Sequence, residues 1–356
     1  MIVLLSHPYD VHADLVCAGL RRKKAEFYRL HTEQFPTEVK ITLTSGGEPS
    51  ADKGVLGPEG ALSLSSVESV WYRRPRAPVL PGPEDAEGTL RRDCTSALSS
   101  LYMSLRDRFW VNPPWNERAI AEDKLFQLET ARQCGLRIPA TLITNDRAEA
   151  LAFFHEHQHH GSVIYKPYAL HGSIFENGFI FTSEVSERHF DEARRFQSAP
   201  VFLQEGIPKK TELRITVIGH KVFASEILSR EVPESHVDWR RGVPKGLRER
   251  PTALPDAVEQ ACLRLVKALG LVFGAIDMIL TPDDDYVFLE INPAGQWLWV
   301  ERKTELPLLD SFCEMLIQGR PDFELNSSGR PSVSYKEVEP EVDIEALNPF
   351  AIRKPS

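Results

Sequence analysis

Residues 286–301 read YVFLEINPAGQWLWVE. Glu290 and Asn292 interrupt an apolar run that is rich in β-branched and aromatic residues, and Pro293 then ends it. Residues of these types favour a β-strand. Because burying polar groups without partners is costly, a core strand does not ordinarily carry a carboxylate and an amide two residues apart. The stretch therefore predicts a strand with one face that binds a ligand.

The run just before it supplies a partner strand. Residues 271–280, LVFGAIDMIL, are again mostly apolar, and the turn-forming residues TPDDD separate the two runs. Two such runs joined by a short loop predict an antiparallel hairpin. With a loop over residues 282–285, the register pairs Leu280 with Val287, Met278 with Leu289, and Asp277 with Glu290.

The two faces of this hairpin differ in chemistry, because side chains alternate along a strand. The predicted core face carries Ile276, Met278, Leu280, Val287, Leu289 and Ile291. The other face carries Asp277, Glu290 and Asn292. Two opposed carboxylates repel each other and need a cation between them, and oxygen donors without His or Cys favour Mg²⁺ or Mn²⁺. Because Mg²⁺ commonly also binds substrate phosphates, a nucleotide is the expected ligand; the alternative is a pair of solvated acids.

Length, charge and cysteine content limit the class of protein. A chain of 356 residues predicts two or three domains, and a net charge of −9 argues against a nucleic-acid binder that works by neutralising phosphates. The five cysteines are far apart and form no CxxC pair, which indicates reduced thiols in a cytoplasmic protein. No run approaches the length of a membrane span, so no membrane partner is expected.

The chain divides into four predicted segments. Residues 1–112 alternate strand and helix and predict a small α/β domain, and VNPPWN at 111–116 is a stiff boundary. Residues 113–200 and 201–320 predict two further domains, the second rich in strands. Residues 321–356 are polar, rich in proline and aperiodic, which predicts an extended tail.

Two lysines are candidates for binding phosphate. Lys166 lies in IYKPY, on a strand otherwise suited to burial and just before a loop bounded by glycines, where a lysine can hold phosphate oxygens. Lys124 lies in AEDKLFQLE, within a long helix predicted from about residue 117 to 134. The alternatives are a lysine at a sheet edge for Lys166 and a solvated helix lysine for Lys124.

The segment VFLQEGIPKKTELRITVIG places further polar groups near the hairpin. Gln204 and Glu205 end one strand at a short link, where backbone groups can recognise an adenine edge. In the next strand Arg214 points to the polar face, where it either stabilises developing phosphoryl charge or forms a structural salt bridge. In VDWRRG, Arg240 beside Trp239 is a candidate for contact with an anion or peptide, or is simply solvated.

Taken in order, these residues resemble the ATP-grasp ligases. The ordered set comprises Lys124, Lys166, the hinge QEGI, Arg214, Asp277, Glu290 and Asn292. EINPAGQW resembles the form found in the microviridin-type, or graspetide, peptide macrocyclases, and DVHADLV, RLHTEQFP and VWYRRP resemble their pre-grasp domain. The resemblance spans roughly residues 1–320 and does not reach the tail.

This resemblance implies a fold, an activity and residue roles. The expected fold is α/β (α+β), with an N-terminal pre-grasp domain, a central domain and a C-terminal antiparallel-sheet domain, and with ATP between the last two. The implied roles are Mg²⁺ binding by Asp277, Glu290 and Asn292, phosphate binding by Lys124 and Lys166, an adenine and ribose pocket formed by Gln204, Glu205 and Ile207, stabilisation of an acyl phosphate by Arg214, and binding of the acceptor carboxylate by Arg240.

The implied reaction activates a carboxylate with ATP. An Asp or Glu side chain of a ribosomal precursor peptide with a leader sequence would become an acyl phosphate, and a hydroxyl or amine would displace phosphate to close a lactone or lactam. The resemblance also implies two Mg²⁺ ions and a homodimer. One alternative is a ligase that joins free amino acids or modifies a protein C-terminus, and another is a catalytically silent peptide-binding module.

Overall fold

The computed structural model describes residues 1–45, 54–80, 84–166, 182–191, 196, 198–232, 239, 246–325 and 331–342. The strands are β1 Ile2–Ser6, β2 Phe27–His31, β3 Lys40–Thr42, β4 Gly54–Gly57, β5 Gly60–Ser63, β6 Ser69–Tyr72, β7 Phe109–Val111, β8 Thr141–Thr144, β9 Ser162–Lys166, β10 Ser183–Glu184, β11 Val201–Gly206, β12 Thr211–Ile218, β13 Lys221–Ile227, β14 Glu249–Thr252, β15 Phe273–Leu280 and β16 Tyr286–Asn292. The helices are α1 Val11–Arg22, α2 Glu84–Ser104, α3 Pro114–Glu122, α4 Lys124–Gln133, α5 Arg147–His157, α6 Asp256–Ala268, α7 Leu298–Thr304, α8 Leu308–Gln318 and α9 Tyr335–Val338. No helix in these ranges is long and apolar enough to cross a membrane.

The N-terminal part is a parallel sheet with helices on both faces. Its strand order is β2-β1-β6-β7, and β1 pairs in parallel with both β2 and β6. Asp10 begins α1 by accepting a hydrogen bond from the Ala13 amide at 3.0 Å. Leu15 of α1 packs in the core on one face of the sheet, and Leu101 of α2 packs in the core on the other.

The central part is the antiparallel sheet β10-β9-β11-β8. Its strand β11 pairs with β8 and β9, so the sheet ends at Gly206. The boundary predicted between residues 200 and 201 is therefore misplaced, because it would separate β11 from the two strands that satisfy its backbone hydrogen bonds. Residues 207–210 connect this sheet to the next one.

The third part is the antiparallel sheet β14-β13-β12-β15-β16, which contains the predicted hairpin. Asp277 pairs with Glu290 as expected, but Met278 pairs with Phe288 and Leu280 with Tyr286. The other two predicted pairs are wrong by one residue, because a β-bulge interrupts the register between Asp277 and Met278.

The bulge changes which residues of β16 face the core. Phe288 packs in the apolar cluster with Ile276, Met278 and Ile291, whereas Leu289 turns to the opposite face. The predicted core face was therefore wrong for Leu289, because one extra residue inverts the alternation of side chains on the loop side of the bulge. Glu290 keeps its predicted face.

The helix predicted from residue 117 to 134 is two helices. Asp123, with φ −108° and ψ 91°, leaves the helical conformation and separates α3 from α4. Its side chain accepts a hydrogen bond from the Phe126 amide at 2.9 Å, so it begins α4 as a cap. Lys124 is therefore the first residue of a helix rather than a residue on a helix face.

Residues 321–356 are not an extended tail where the structure describes them. Phe323, Val333, Tyr335 and Val338 are buried in the core that also contains α1 and α8. Ser334 begins the short helix α9 with a capping box. The polar, proline-rich composition predicted an extended segment, but its spaced apolar residues bury enough surface to hold the described part against the core.

Candidate active site

A row of charged side chains crosses three neighbouring strands. Arg214 on β12 is the register partner of Asp277 on β15, which is the partner of Glu290 on β16. Arg214 Nη1 lies 2.8 Å from Asp277 Oδ1, and Lys124 Nζ lies 2.8 Å from Glu290 Oε2. The opposed carboxylates are therefore each matched by a cation, as their mutual repulsion requires.

A cavity of about 490 Å³ opens beside this row, between the central sheet and the third sheet. Residues predicted from sequence to bind ATP or metal make up part of its lining, namely Lys124, Lys166, Gln204, Glu205, Ile207, Asp277 and Glu290. Residues not predicted to bind a ligand include Ser162, Glu184, Phe202, Lys209, Glu212 and Leu289. Its size and mixed lining suit a bound nucleotide.

The two lysines reach the cavity from different elements. Lys166 is the last residue of β9 and is the register partner of Phe202 on β11, so the central sheet holds it. Lys124 enters from the start of α4, and its side chain is 19% exposed. A pair of lysines placed in this way can hold the oxygens of a polyphosphate.

The end of β11 forms the wall opposite the carboxylates. Hydrogen bonds to Ala140 hold both the backbone and the side chain of Glu205. Its amide donates to the Ala140 carbonyl at 2.9 Å, and its Oε2 accepts from the Ala140 amide at 3.2 Å. Gln204 is buried, and its Nε2 donates to Thr141 Oγ1 at 2.9 Å. Among the described residues no group donates to Gln204 Oε1, so a ligand amino group would satisfy it.

Glu212 and Lys209 belong to the site although neither was predicted. Lys209 Nζ lies 2.6 Å from Glu212 Oε1, and both line the cavity. Burial raises the pKa of Glu212, and the charge of Lys209 opposes that rise. Glu212 alternates with Arg214 along β12, so strand alternation alone could have identified it.

Two predicted residues within the described ranges, Arg214 and Asn292, are not part of the cavity lining. Arg214 lies behind Asp277, donates to the Gln296 carbonyl at 2.8 Å and has its guanidinium 5.9 Å from the Trp299 ring centroid. Asn292 is exposed, and its Oδ1 accepts a hydrogen bond from the Ala294 amide at 3.1 Å. Arg240 lies outside the described residues.

The donor set fits Mg²⁺ better than a transition metal. No three His, Cys, Asp or Glu side chains of the described residues cluster closely enough to bind a metal by themselves. Asp277 and Glu290 offer two carboxylates at the edge of the cavity. Protein-bound Mg²⁺ usually has one or two carboxylate ligands and completes its shell with substrate phosphates and water.

Two family models together match most of the chain. Residues 1–118 match the MvdD pre-ATP grasp domain, and residues 121–315 match the RimK-like ATP-grasp domain. The second match alone covers more than half of the chain and contains the whole charged row and both lysines.

Solved structures of similar sequence cover nearly the full length. Macrocyclase MdnC from Microcystis aeruginosa, solved with its precursor peptide MdnA, is 32% identical, with a TM-score of 0.75 over 89% of this chain and 100% of that chain. A Chryseobacterium gregarium RiPP-associated ATP-grasp ligase, solved with ADP and a leader and core peptide, is 30% identical, with a TM-score of 0.81 over 91% and 99%. Macrocyclase MdnB from Microcystis aeruginosa is 31% identical, with a TM-score of 0.73 over 89% and 99%.

Curated relatives match over shorter segments. The tetrahydromethanopterin:alpha-L-glutamate ligase of Methanocaldococcus jannaschii is 27% identical over 81 residues, which are 23% of this chain and 28% of that protein. The alpha-aminoadipate–LysW ligase LysX of Sulfurisphaera tokodaii is 23% identical over 183 residues, 49% of this chain and 60% of that protein. The matched segments thus span less than two thirds of either relative. The long matches decide the classification: the chain belongs to the RimK-like ATP-grasp ligases and has the architecture of the graspetide type.

Proposed function

We propose that this protein activates Asp or Glu side chains of a ribosomal precursor peptide as acyl phosphates and closes macrolactone or macrolactam rings. Membership of the family implies the use of ATP and Mg²⁺. One observation carries the proposal, which is the pair of Asp277 and Glu290, with Arg214 behind Asp277, at the edge of a nucleotide-sized cavity that also contains two lysines. The peptide complexes among the solved relatives support a peptide as the substrate.

The described side chains supply what phosphoryl transfer requires. The γ-phosphoryl group moves to a carboxylate oxygen of the peptide and ADP leaves, so the main tasks are positioning and charge neutralisation. Lys124 and Lys166 bind and neutralise phosphate oxygens, and Arg214 stabilises the negative charge of the acyl phosphate. Mg²⁺, when bound by Asp277 and Glu290, supplies further neutralisation of the phosphate charge.

Ring closure is the second half of the proposed reaction. A hydroxyl or amine of the same peptide attacks the acyl carbon, the new C–O or C–N bond forms, and inorganic phosphate leaves with the acyl C–O bond broken. The nucleophile releases one proton. Phosphoryl transfer and ring closure together convert ATP to ADP and inorganic phosphate and remove the elements of one water molecule from the peptide, whose carboxylate oxygen leaves with the phosphate.

Mass spectrometry of the peptide tests this function. Incubation of the protein with ATP, Mg²⁺ and a peptide encoded near its gene should remove the mass of one water for each ring formed. ATP turnover without any such loss on the neighbouring peptides would contradict the proposal. A gain of mass on an acceptor would instead favour a ligase that adds free amino acids, which is the kind of substrate named for the glutamate ligase relative.

Two finer features belong to the same proposal. Two Mg²⁺ ions are expected because metal pairs commonly clamp the oxygens of a transferring phosphoryl group. A homodimer is expected from the family resemblance. The Mg²⁺ dependence of turnover tests the first, and light scattering of the intact chain tests the second.

Lys166→Met should weaken nucleotide binding. The change keeps the aliphatic stem but removes the charge that holds phosphate, so we expect the Kd for ADP to rise by about tenfold or more, as charge-assisted hydrogen bonds to phosphate are worth that much. Calorimetry with ADP and Mg²⁺ gives the value. Lys210→Met is the matched control, because Lys210 pairs with Asp284 on the exposed hairpin loop. Equal effects of the two substitutions would remove Lys166 from the site.

A further inference from the structure

The carboxyl ends of β1 and β6 form a second polar site that the proposed function does not use. The two strands are parallel neighbours, and the helices α1 and α2 that follow them pack on opposite faces of the sheet. In a sheet of this kind a crevice opens outside the strand ends at that point, and ligands bind there. Residues 7–10 follow β1, and residues 73–76 follow β6.

This crevice is positive although the whole chain carries a net charge of −9. Arg73 pairs with Asp10 at 3.1 Å, whereas Arg74 and Arg76 are exposed. Within the described ranges no carboxylate lies within 4.0 Å of either exposed guanidinium. A cluster of charges of one sign in a concave surface concentrates the electric field and attracts ligands of the opposite charge.

One buried polar atom beside the crevice lacks a hydrogen-bond partner among the described residues. It is Glu117 Oε2, on a side chain that is 7% exposed. Burial raises the pKa of Glu117 to about 8, although Arg73 and Arg74 oppose that rise. Burial thus disfavours the charged form of Glu117 beside these arginines.

The exposed part of the crevice combines an aromatic ring with cations. Tyr9 is 67% exposed, and the Arg76 guanidinium carbon lies 5.8 Å from its ring centroid. Arg74 has a φ of 49°, in the left-handed region that residues other than glycine seldom adopt. Such backbone conformations concentrate at ligand sites, and exposed tyrosine with arginine is typical of surfaces that bind other chains.

A single loop separates this crevice from the charged row of the active site. Arg73 Nη1 and Arg74 Nη2 donate to the Ala294 carbonyl at 2.6 and 3.1 Å. From the other side, Arg214 donates to the Gln296 carbonyl at 2.8 Å and also pairs with Asp277. A peptide held in the crevice is thus within reach of the activating site.

We propose that this crevice binds an acidic segment of the peptide substrate, with Arg74 and Arg76 binding its carboxylates and Tyr9 contacting its backbone. The inference rests on the proposed function for the identity of the peptide, but not for the binding itself. Arg73 has a structural role and is not assigned to the peptide, because its guanidinium already contacts Asp10 and the Ala294 carbonyl.

Fluorescence anisotropy of labelled hexaglutamate, with hexaglutamine as the neutral comparison, tests the inference on the intact protein. Hexaglutamate should bind the wild type and hexaglutamine should not, and Arg74→Gln with Arg76→Gln should raise the hexaglutamate Kd by about tenfold or more, since each lost charge-assisted bond is worth about that factor. Arg92→Gln is the matched control, because Arg92 is exposed on α2 of the same sheet domain.

Other results would overturn the inference. They are no binding to the wild type, equal binding by the double variant, or an equal loss in Arg92→Gln. If the double variant does not fold, Arg76→Gln alone tests the inference, because Arg76 makes no bond to the Ala294 loop among its described contacts.

Saturating ADP and Mg²⁺ should leave hexaglutamate bound. Displacement of hexaglutamate would place the probe in the nucleotide cavity and contradict the second site. Failure of ADP to bind at all would count against the proposed function alone.

Discussion

Glu290→Gln should lower ATP-dependent turnover by about 100-fold or more, because a lost metal contact removes several kcal/mol of transition-state charge stabilisation. Asp277→Asn should act in the same way. Both changes keep side-chain volume and replace a carboxylate at the edge of the cavity with a neutral amide. Steady-state ADP release at saturating ATP, measured over a range of Mg²⁺ concentrations, gives the effect. The variants should need more Mg²⁺ than the wild type.

The structure changes the expected effect of these substitutions on stability. From sequence, removing one of two opposed acids should relieve repulsion and leave the fold intact. The structure instead pairs Asp277 with Arg214 and Glu290 with Lys124, each at 2.8 Å. Because the Arg214 side chain is only 8% exposed, Asp277→Asn should cost stability, while Glu290→Gln at a more exposed pair should cost less.

The matched control for both variants is Asp283→Asn. Asp283 is exposed in the loop of the same hairpin and lies away from the cavity. It carries the same charge change and should leave turnover and Mg²⁺ dependence at the wild-type level. Full turnover by folded Glu290→Gln or Asp277→Asn would show that the carboxylate row does not bind the metal.

Asn112→Ala should lower the free energy of unfolding by about 3 kcal/mol or more, because buried groups left without hydrogen bonds cost about 1–3 kcal/mol each. Asn112 is 1% exposed, and its Nδ2 donates to the carbonyls of Phe273 and Pro293 at 2.9 and 2.8 Å. Its Oδ1 accepts from the amides of Val272 and Phe273 at 2.9 and 3.2 Å. One side chain thus joins the end of the N-terminal sheet to both strands of the hairpin.

Urea unfolding followed by circular dichroism measures this loss. Asn116→Ala is the control, because Asn116 is partly exposed and its side chain makes one hydrogen bond within the described part of the chain, to the Gly270 carbonyl at 2.9 Å. That variant should lose about 1 kcal/mol or less. Equal losses in the two variants would show that Asn112 does not join the sheets in the way its contacts indicate.

The sequence predicted the centre of the site because that centre depends on strand periodicity. Alternation placed Asp277, Glu290 and Arg214 on one polar face, and the structure brings them into one cross-strand row. The alternation of side chains could not predict the β-bulge, because neither Leu289 nor its neighbours in sequence mark it as the extra residue. Its position follows from how β16 packs on β15 and on the core.

Contacts between segments far apart in the chain were the second feature that the sequence could not predict. The cap at Asp123 turned Lys124 toward Glu290, 166 residues away in the chain. The predicted extended tail instead packs against α1 where the structure describes it, and the arginines after β6 contact the loop after β16. Each of these depends on which surfaces meet after folding.

The family, the hairpin and the polar face with its two carboxylates were readable from the residues alone, because side-chain period and turn chemistry act over a few residues. The cations that pair with those carboxylates, the position of the register shift, and the contact of Arg73 and Arg74 with the loop after β16 emerged only from the folded chain. The physical reason is that burial and long-range hydrogen bonds are properties of meeting surfaces, which no local pattern encodes.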